Sequence, residues 1–186
     1  MEKNIETEYK MMLDRSIFDR ILSDHKGHKV YTQTNYYLTS KELSDKLYSL
    51  RLREKEGYYE MTLKKPTETM AKIEMNLELS KEEFERIKNE EYIDNDIFRL
   101  LKSEGFHIDT IKQAYSLKTI RHDIPLQYGL LSLDENYYNS CHDYELEFEL
   151  SDLVHGPEEF KQLLNTYQLT YITNCLSKIK RVLNSL

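Results

Sequence analysis

Residues 4–10 read NIETEYK and residues 144–150 read YELEFEL, and in both runs charged side chains alternate with apolar or aromatic ones. Successive side chains of an extended strand point to opposite faces. Glu6, Glu8 and Lys10 therefore share one face of the first run, with Ile5, Thr7 and Tyr9 on the other. In the second run Glu145, Glu147 and Glu149 are set against Tyr144, Leu146, Phe148 and Leu150. Three like charges along one strand face repel each other, so cations are expected opposite them on paired strands.

The same division recurs along the chain. Arg51 and Arg53 alternate with Leu50 and Leu52, and Glu60, Thr62 and Lys64 alternate with Met61 and Leu63. Lys72, Glu74 and Asn76 form a further polar face, and Ser132 and Asp134 oppose Leu131 and Leu133. Arg121 shares a mixed face with Thr119 and Leu117. These patterns predict eight strands, over residues 4–13, 29–38, 46–55, 58–65, 71–79, 113–122, 129–135 and 142–150. Gly57 marks a tight turn, Pro66 and Pro125 suit strand edges, and the short connections favour antiparallel pairing.

Helical spacing interrupts the strands at residues 15–24 and 81–104, the second with a capping-box pattern at Ser80 and Glu83 and a stop at Gly105. Two more helical segments are expected at the end: one opened by Pro157, the other carrying Ile172, Cys175, Leu176, Ile179 and Leu183. Pattern alone leaves two architectures open. Either an open sheet shows its ionic face to water, or the sheet closes so that the ionic faces line a lumen, for which eight strands suffice.

The 186 residues suit one domain, with no linker-like run and no repeat. A net charge of −7 argues against a protein that binds nucleic acid through surface charge. No apolar run approaches the roughly 20 residues that span a bilayer, and the amino terminus carries no apolar signal segment. Cys141 and Cys175 are too few for a disulfide framework. A cytoplasmic protein without membrane or nucleic-acid partners is the expectation, as a monomer or homodimer.

In order along the chain, ETEYK, QTNYYLTS, LYSLRLR, MTLKKP, Ile120-Arg121, LLSLD, YELEFE and SKIKR resemble the blocks of the CYTH superfamily, the triphosphate tunnel metalloenzymes. That superfamily includes class IV adenylate cyclases, thiamine triphosphatases and inorganic triphosphatases. The resemblance covers nearly the whole chain and is nearest to the compact Gram-positive bacterial type. It implies an α+β fold: a closed eight-stranded antiparallel β-barrel whose tunnel holds triphosphate and metal, with helices outside and a helix at the C-terminus. The family often has Tyr-Phe-Asp-Thr where this chain has Tyr37, Leu38, Thr39 and Ser40, and a second acid where it has Asn76.

On that resemblance the cations are read as phosphate ligands. Arg51, Arg53 and Arg121 offer guanidinium forks, and Lys10, Lys64 and Lys178 act as point charges. Lys178 owes this role to the resemblance alone, since its spacing also suits a side chain flanking an apolar stripe. Hard cations such as Mg²⁺ or Mn²⁺ prefer oxygen, which makes Glu6, Glu8, Glu145 and Glu147 the first metal candidates, followed by Asp134 and Glu149. Glu8, Glu147 and Lys178 are the expected catalytic residues, and Glu74 and Lys72 possible additions. The histidines show no paired zinc spacing, and both cysteines read as small packing residues. The implied reaction is metal-dependent hydrolysis of inorganic or small organic triphosphate. The alternatives are a cyclase acting on ATP and a non-catalytic binder of polyphosphate or nucleotide.

Overall fold

The strand expected over residues 4–13 is interrupted at Thr7. The computed structural model describes residues 2–67 and 72–185. In it β1 (Glu2–Glu6) pairs with β6 (Lys72–Leu79), whereas β2 (Glu8–Leu13) pairs with β9 (Cys141–Leu150), both antiparallel. The remaining strands are β3 (Lys29–Thr39), β4 (Ser49–Lys55), β5 (Tyr58–Pro66), β7 (Lys112–Pro125) and β8 (Gly129–Tyr138). Their hydrogen-bonded order is β1-β6-β5-β4-β3-β7-β8-β9-β2. The expected α+β class with an antiparallel sheet stands, and the strands number eight if the stretch split at Thr7 is counted once. Hydrogen bonds do not close the ladder, which begins and ends on the two halves of that stretch.

Contacts divide the chain into two compact units, each assembled from two separate pieces. The first is Met1–Glu6 with Gln33–Leu117, and the second is Thr7–Thr32 with Lys118–Leu186. The core of the first unit is built from the apolar faces read in the sequence. Leu50 and Leu52 of β4 and Met61 and Leu63 of β5 are fully buried, together with Phe84 of α3 (Lys81–Lys88) and Ile97 and Leu101 of α4 (Asp96–Ser103). The β4–β5 turn is Glu56-Gly57, both with positive φ (50° and 83°), the backbone that matches a two-residue hairpin to strand twist. In the second unit Leu131, Leu133, Leu146 and Phe148 meet Phe18 and Ile21 of α1 (Arg15–Asp24) and Phe160 of α5 (Gly156–Tyr167). The Phe160 ring stacks on Tyr9 at 4.4 Å between centroids.

The opposite faces are shielded as well. Thr62, Thr119, Asp134, Asn136 and Glu145 are each 0% exposed, which excludes the open sheet with its ionic face in water. A face this polar persists only where its groups satisfy one another.

Several helix boundaries differ from expectation. The capping box at Ser80 and Glu83 forms, but the helix expected to reach residue 104 stops at Lys88; Glu90 takes a positive φ, and Asn95 caps α4 by accepting from the Phe98 N–H. A short helix, α2 (Lys41–Asp45), was not foreseen; Ser40 caps it. The final helix, α6 (Lys178–Asn184), begins later than its apolar spacing suggested, and Ile172 and Leu176 are exposed. Cys141 is exposed rather than packed inside, contrary to expectation, and both cysteines are free. No helix among the described residues is long and apolar enough to cross a membrane.

Candidate active site

Strand register gathers the charges of the second unit. Lys10 stands opposite Glu147 across β2 and β9, Glu145 opposite Asp134 across β9 and β8, and Asp134 opposite Arg121 across β8 and β7. The expected cations therefore face the glutamate row. The other edge of β2 is held by a non-helical stretch: Asn174 accepts from the Lys10 N–H at 2.6 Å and donates to the Glu8 carbonyl at 3.1 Å, and the Cys175 N–H donates to the Lys10 carbonyl. This docking delivers Lys178, the first residue of α6, into the same group of charges.

Lys178 Nζ donates to Glu147 Oε1 at 2.7 Å and lies 2.8 Å from Asp134 Oδ2 and 2.5 Å from Glu145 Oε2. It does not flank an apolar stripe at the surface. Arg121 grips Asp134 with two parallel hydrogen bonds, Nε to Oδ1 at 2.7 Å and Nη2 to Oδ2 at 2.6 Å, and also donates to Glu147 Oε2 at 2.6 Å. Lys10 donates to Glu147 Oε1 at 2.9 Å and pairs with Glu8 at 3.0 Å. Oxygens of Asp134, Glu145 and Glu147 lie within 4.8 Å of one another, and all three residues are buried. Buried carboxylates this close, presenting hard oxygen donors, fit a divalent cation.

Burial by itself would raise the carboxyl groups of this cluster, but the surrounding cations win. For Glu147 the charges of Lys10, Lys178 and Arg121 overcome burial and hold it well below the usual carboxylate range. Arg121 and Lys178 do the same for Asp134. Glu149 is exposed at the end of the row, opposite Glu8, and falls outside the three-carboxylate group.

Two members escaped sequence reading. Arg181 donates to Glu145 Oε2 at 2.8 Å and to Asp143 Oδ2 at 3.0 Å. A signal existed for each: Arg181 follows Lys178 by three on one helix, and Asp143 precedes Glu145 by two on one strand face. The Cys175 thiol, 3.6 Å from Glu145 Oε1, is pushed up to about 12 by burial and that carboxylate. Another feature not foreseen is a histidine pair, with His28 Nε2 2.8 Å from His122 Nδ1.

The first unit holds a second, more cationic cluster. Arg51 faces Thr62, Arg53 faces Glu60, and Lys64 faces Glu74. Glu74 is buried, pairs with Lys64, lies 3.9 Å from Arg51 and accepts from Asn76 Nδ2 at 3.0 Å. Asn76 thus serves Glu74 as a donor, where a second acid would have repelled it. Asn35 accepts from Arg53 Nε at 3.0 Å, and Thr62 donates to Glu60. Arg51 Nε is buried without a hydrogen-bond partner among the described residues, leaving a donor available for an anion. A cavity of about 330 Å³ lies at the β4–β5 turn, lined by Arg53, Lys55, Glu56, Tyr58 and Glu60. At the other departure from the family pattern, Thr39 ends β3 with its hydroxyl against Ser44, and Ser40 caps α2 by accepting from the Leu43 N–H. The side chains of Glu6 and Lys72 lie outside the described residues.

Burial works against ionisation of Glu74, but Arg51 and Lys64 outweigh it and hold its carboxyl at about 2. A folded-state value below the ordinary one stabilises the fold above about pH 4.5, and this contribution is lost as pH falls towards 2. Urea titrations at pH 6 and pH 3 are expected to differ by about 2 kcal/mol more for the native protein than for Glu74→Gln. Equal differences would show that Glu74 carries none of the acid sensitivity.

A model of the CYTH domain matches residues 4–181. The chain belongs to the CYTH family. Among its relatives is a Bacillus subtilis protein named "Putative triphosphatase YjbK", 31% identical over 173 residues, covering 91% of this chain and 90% of that protein. A crystal structure from Bacillus halodurans, described as a putative adenylate cyclase, is 29% identical with a TM-score of 0.88 over 97% of this chain and 98% of that one. The Hippeastrum protein HpAC1 shares the fold at 17% identity, with a TM-score of 0.75 over 97% of this chain and 95% of its own.

Proposed function

We propose that this CYTH protein is a divalent-metal-dependent triphosphatase that hydrolyses a terminal phosphoanhydride of inorganic triphosphate or a small organic triphosphate. The observation that carries the reading is the buried group of Asp134, Glu145 and Glu147, surrounded by Lys10, Arg121 and Lys178. The relative named as a triphosphatase supports the same reaction. Asp134, Glu145 and Glu147 would hold Mg²⁺ or Mn²⁺, with Glu6, Glu8 and Glu149 as further candidates. When bound, such an ion polarises phosphoryl oxygens and offsets charge developing on transfer.

The chain's own residues do the rest. Arg121 and Lys10 offer charge-assisted donors to phosphate oxygens in the second unit, and Arg51, Arg53 and Lys64 do so in the first. Glu8, the most accessible carboxylate beside Lys10, orients the attacking water. Glu147 fixes Lys10, Lys178 and Arg121 in place through three hydrogen bonds. Water exclusion around these groups strengthens each contact. The reading keeps one functional domain, a cytoplasmic location and a monomer or homodimer.

A cyclase acting on ATP is the second reading, favoured by the cavity beside Arg53 and by the description of the Bacillus halodurans protein. One experiment separates the two. Purified protein is incubated with a panel of inorganic and organic triphosphates in Mg²⁺ or Mn²⁺, and the products are identified. Orthophosphate is expected, with activity lost in chelator and restored by added metal. Cyclic nucleotide with pyrophosphate would replace the proposal by the cyclase, and full turnover in chelator would remove the metal.

A further inference from the structure

We propose that Lys178 is a displaceable counter-ion: its ammonium occupies the centre of the carboxylate group and must leave before a divalent cation can enter, so this side chain sets the affinity for metal. The inference rests on the metal-dependent reading above and adds a competitor to it. Three oxygens, one each from Asp134, Glu145 and Glu147, surround Nζ at 2.8, 2.5 and 2.7 Å. One of these contacts is a hydrogen bond, to Glu147 Oε1, and Asp134 and Glu145 are ion-paired with the same nitrogen. The same three residues form the group whose oxygens fit a metal ion. Mg²⁺ binds oxygen at about 2.0–2.1 Å, so the cradle around Nζ needs only a small contraction to accept it. Two cations cannot share that cradle, because Nζ occupies the position from which a metal ion would reach all three oxygens.

The other cations are placed differently. Arg121 reaches Asp134 and Glu147 but not Glu145, Arg181 reaches Glu145 and Asp143, and Lys10 reaches Glu147 and Glu8. Among the described residues, Lys178 is the cation that touches all three carboxylates. The five acids of the cluster (Glu8, Asp134, Asp143, Glu145, Glu147) against four bases (Lys10, Arg121, Lys178, Arg181) leave one net negative charge, too little to draw in a dication unless a base withdraws. Lys178 is suited to withdraw. It is the first residue of α6, and its four-carbon stem can swing the ammonium away while the helix stays docked. A released ammonium is then available to a phosphate oxygen, so metal and triphosphate should each favour binding of the other.

The test measures Mn²⁺ binding by calorimetry, without substrate, for the native protein and for Lys178→Met, Lys178→Arg and Lys10→Met. Lys178→Met is expected to tighten Mn²⁺ binding about tenfold or more, with a lower melting temperature before metal is added. Lys178→Arg, which keeps a cation at the carboxylates, should show no such gain. Lys10→Met removes the same charge from outside the cradle and should gain clearly less than Lys178→Met. In the native protein, acetylation of Lys178 by a mild reagent, followed by mass spectrometry, should rise when Mn²⁺ is added; this readout needs no variant to fold. If the native protein binds Mn²⁺ but Lys178→Met does not bind it more tightly, or labelling of Lys178 is unchanged by Mn²⁺, the counter-ion role is overturned while the metal reading stands. If neither the native protein nor any variant binds Mn²⁺, both fall.

Discussion

Glu147→Gln is expected to reduce turnover of inorganic triphosphate by at least about two decades and to lower unfolding free energy by about 3 kcal/mol. The stability loss arises because Glu147 bonds three cations, which outweigh the neighbouring carboxylates of Asp134 and Glu145. One oxygen accepts from Lys10 and Lys178, the other from Arg121, and the residue is buried. Glutamine keeps the shape but leaves three buried cations short of an anion. Glu8 provides the comparison. Among the described residues it pairs with Lys10 alone, and it is partly accessible, so Glu8→Gln should match the loss of turnover with a stability change below about 1 kcal/mol. The measurements are steady-state kinetics and urea unfolding of both variants. A Glu147→Gln protein as stable as the native one would mean that the charges around it are not mutually dependent.

The second large effect concerns the arginines of the first unit. Arg51→Lys and Arg53→Lys should each lower kcat/KM by about one to two decades, equivalent to roughly 1.5–3 kcal/mol for a charge-assisted contact that also operates in the transition state. Lysine keeps the charge but loses the planar fork. Arg51 has a buried Nε left without a partner among the described residues, and Arg53 is oriented by Asn35. Arg99→Lys is the control, because Arg99 lies on the exposed face of α4 and, among the described residues, pairs with Asp94 and Asp96. Arg181, whose sequence position near the tunnel end makes it the less certain control, cannot serve, since it bonds Glu145 and Asp143. Equal kcat/KM for all three lysine variants, at unchanged melting temperature, would show that the first unit's arginines do not read phosphate.

Much of this protein is legible along the chain because alternation is local. Period two is set by backbone geometry, so the assignment of Leu50, Leu52, Met61, Leu63, Leu146 and Phe148 to one set of faces, and of the arginines and glutamates to the other, needs no tertiary information. Caps are local as well, which is why Ser80 and Glu83 were readable three residues apart. Sequence also carried the family resemblance, through the order and spacing of its blocks.

What sequence left open depends on pairing between distant residues. Glu6, Glu8, Glu145, Glu147 and Glu149 look alike as alternating acids, yet register across 137 residues sets Glu147 beside Lys10, while Glu149 is left exposed at the end of its strand. The interruption at Thr7 sends one half of a continuous-looking strand to β6 and the other to β9. Lys178 and Arg181 reach the carboxylates because Asn174 and Cys175 dock on the edge of β2, a contact that helical spacing in the last residues argued against. Charge and face are properties of a residue and its neighbours in the chain. Which charge meets which is decided by the ladders and docked segments that bring remote residues within hydrogen-bond distance, and the candidate site consists of those meetings.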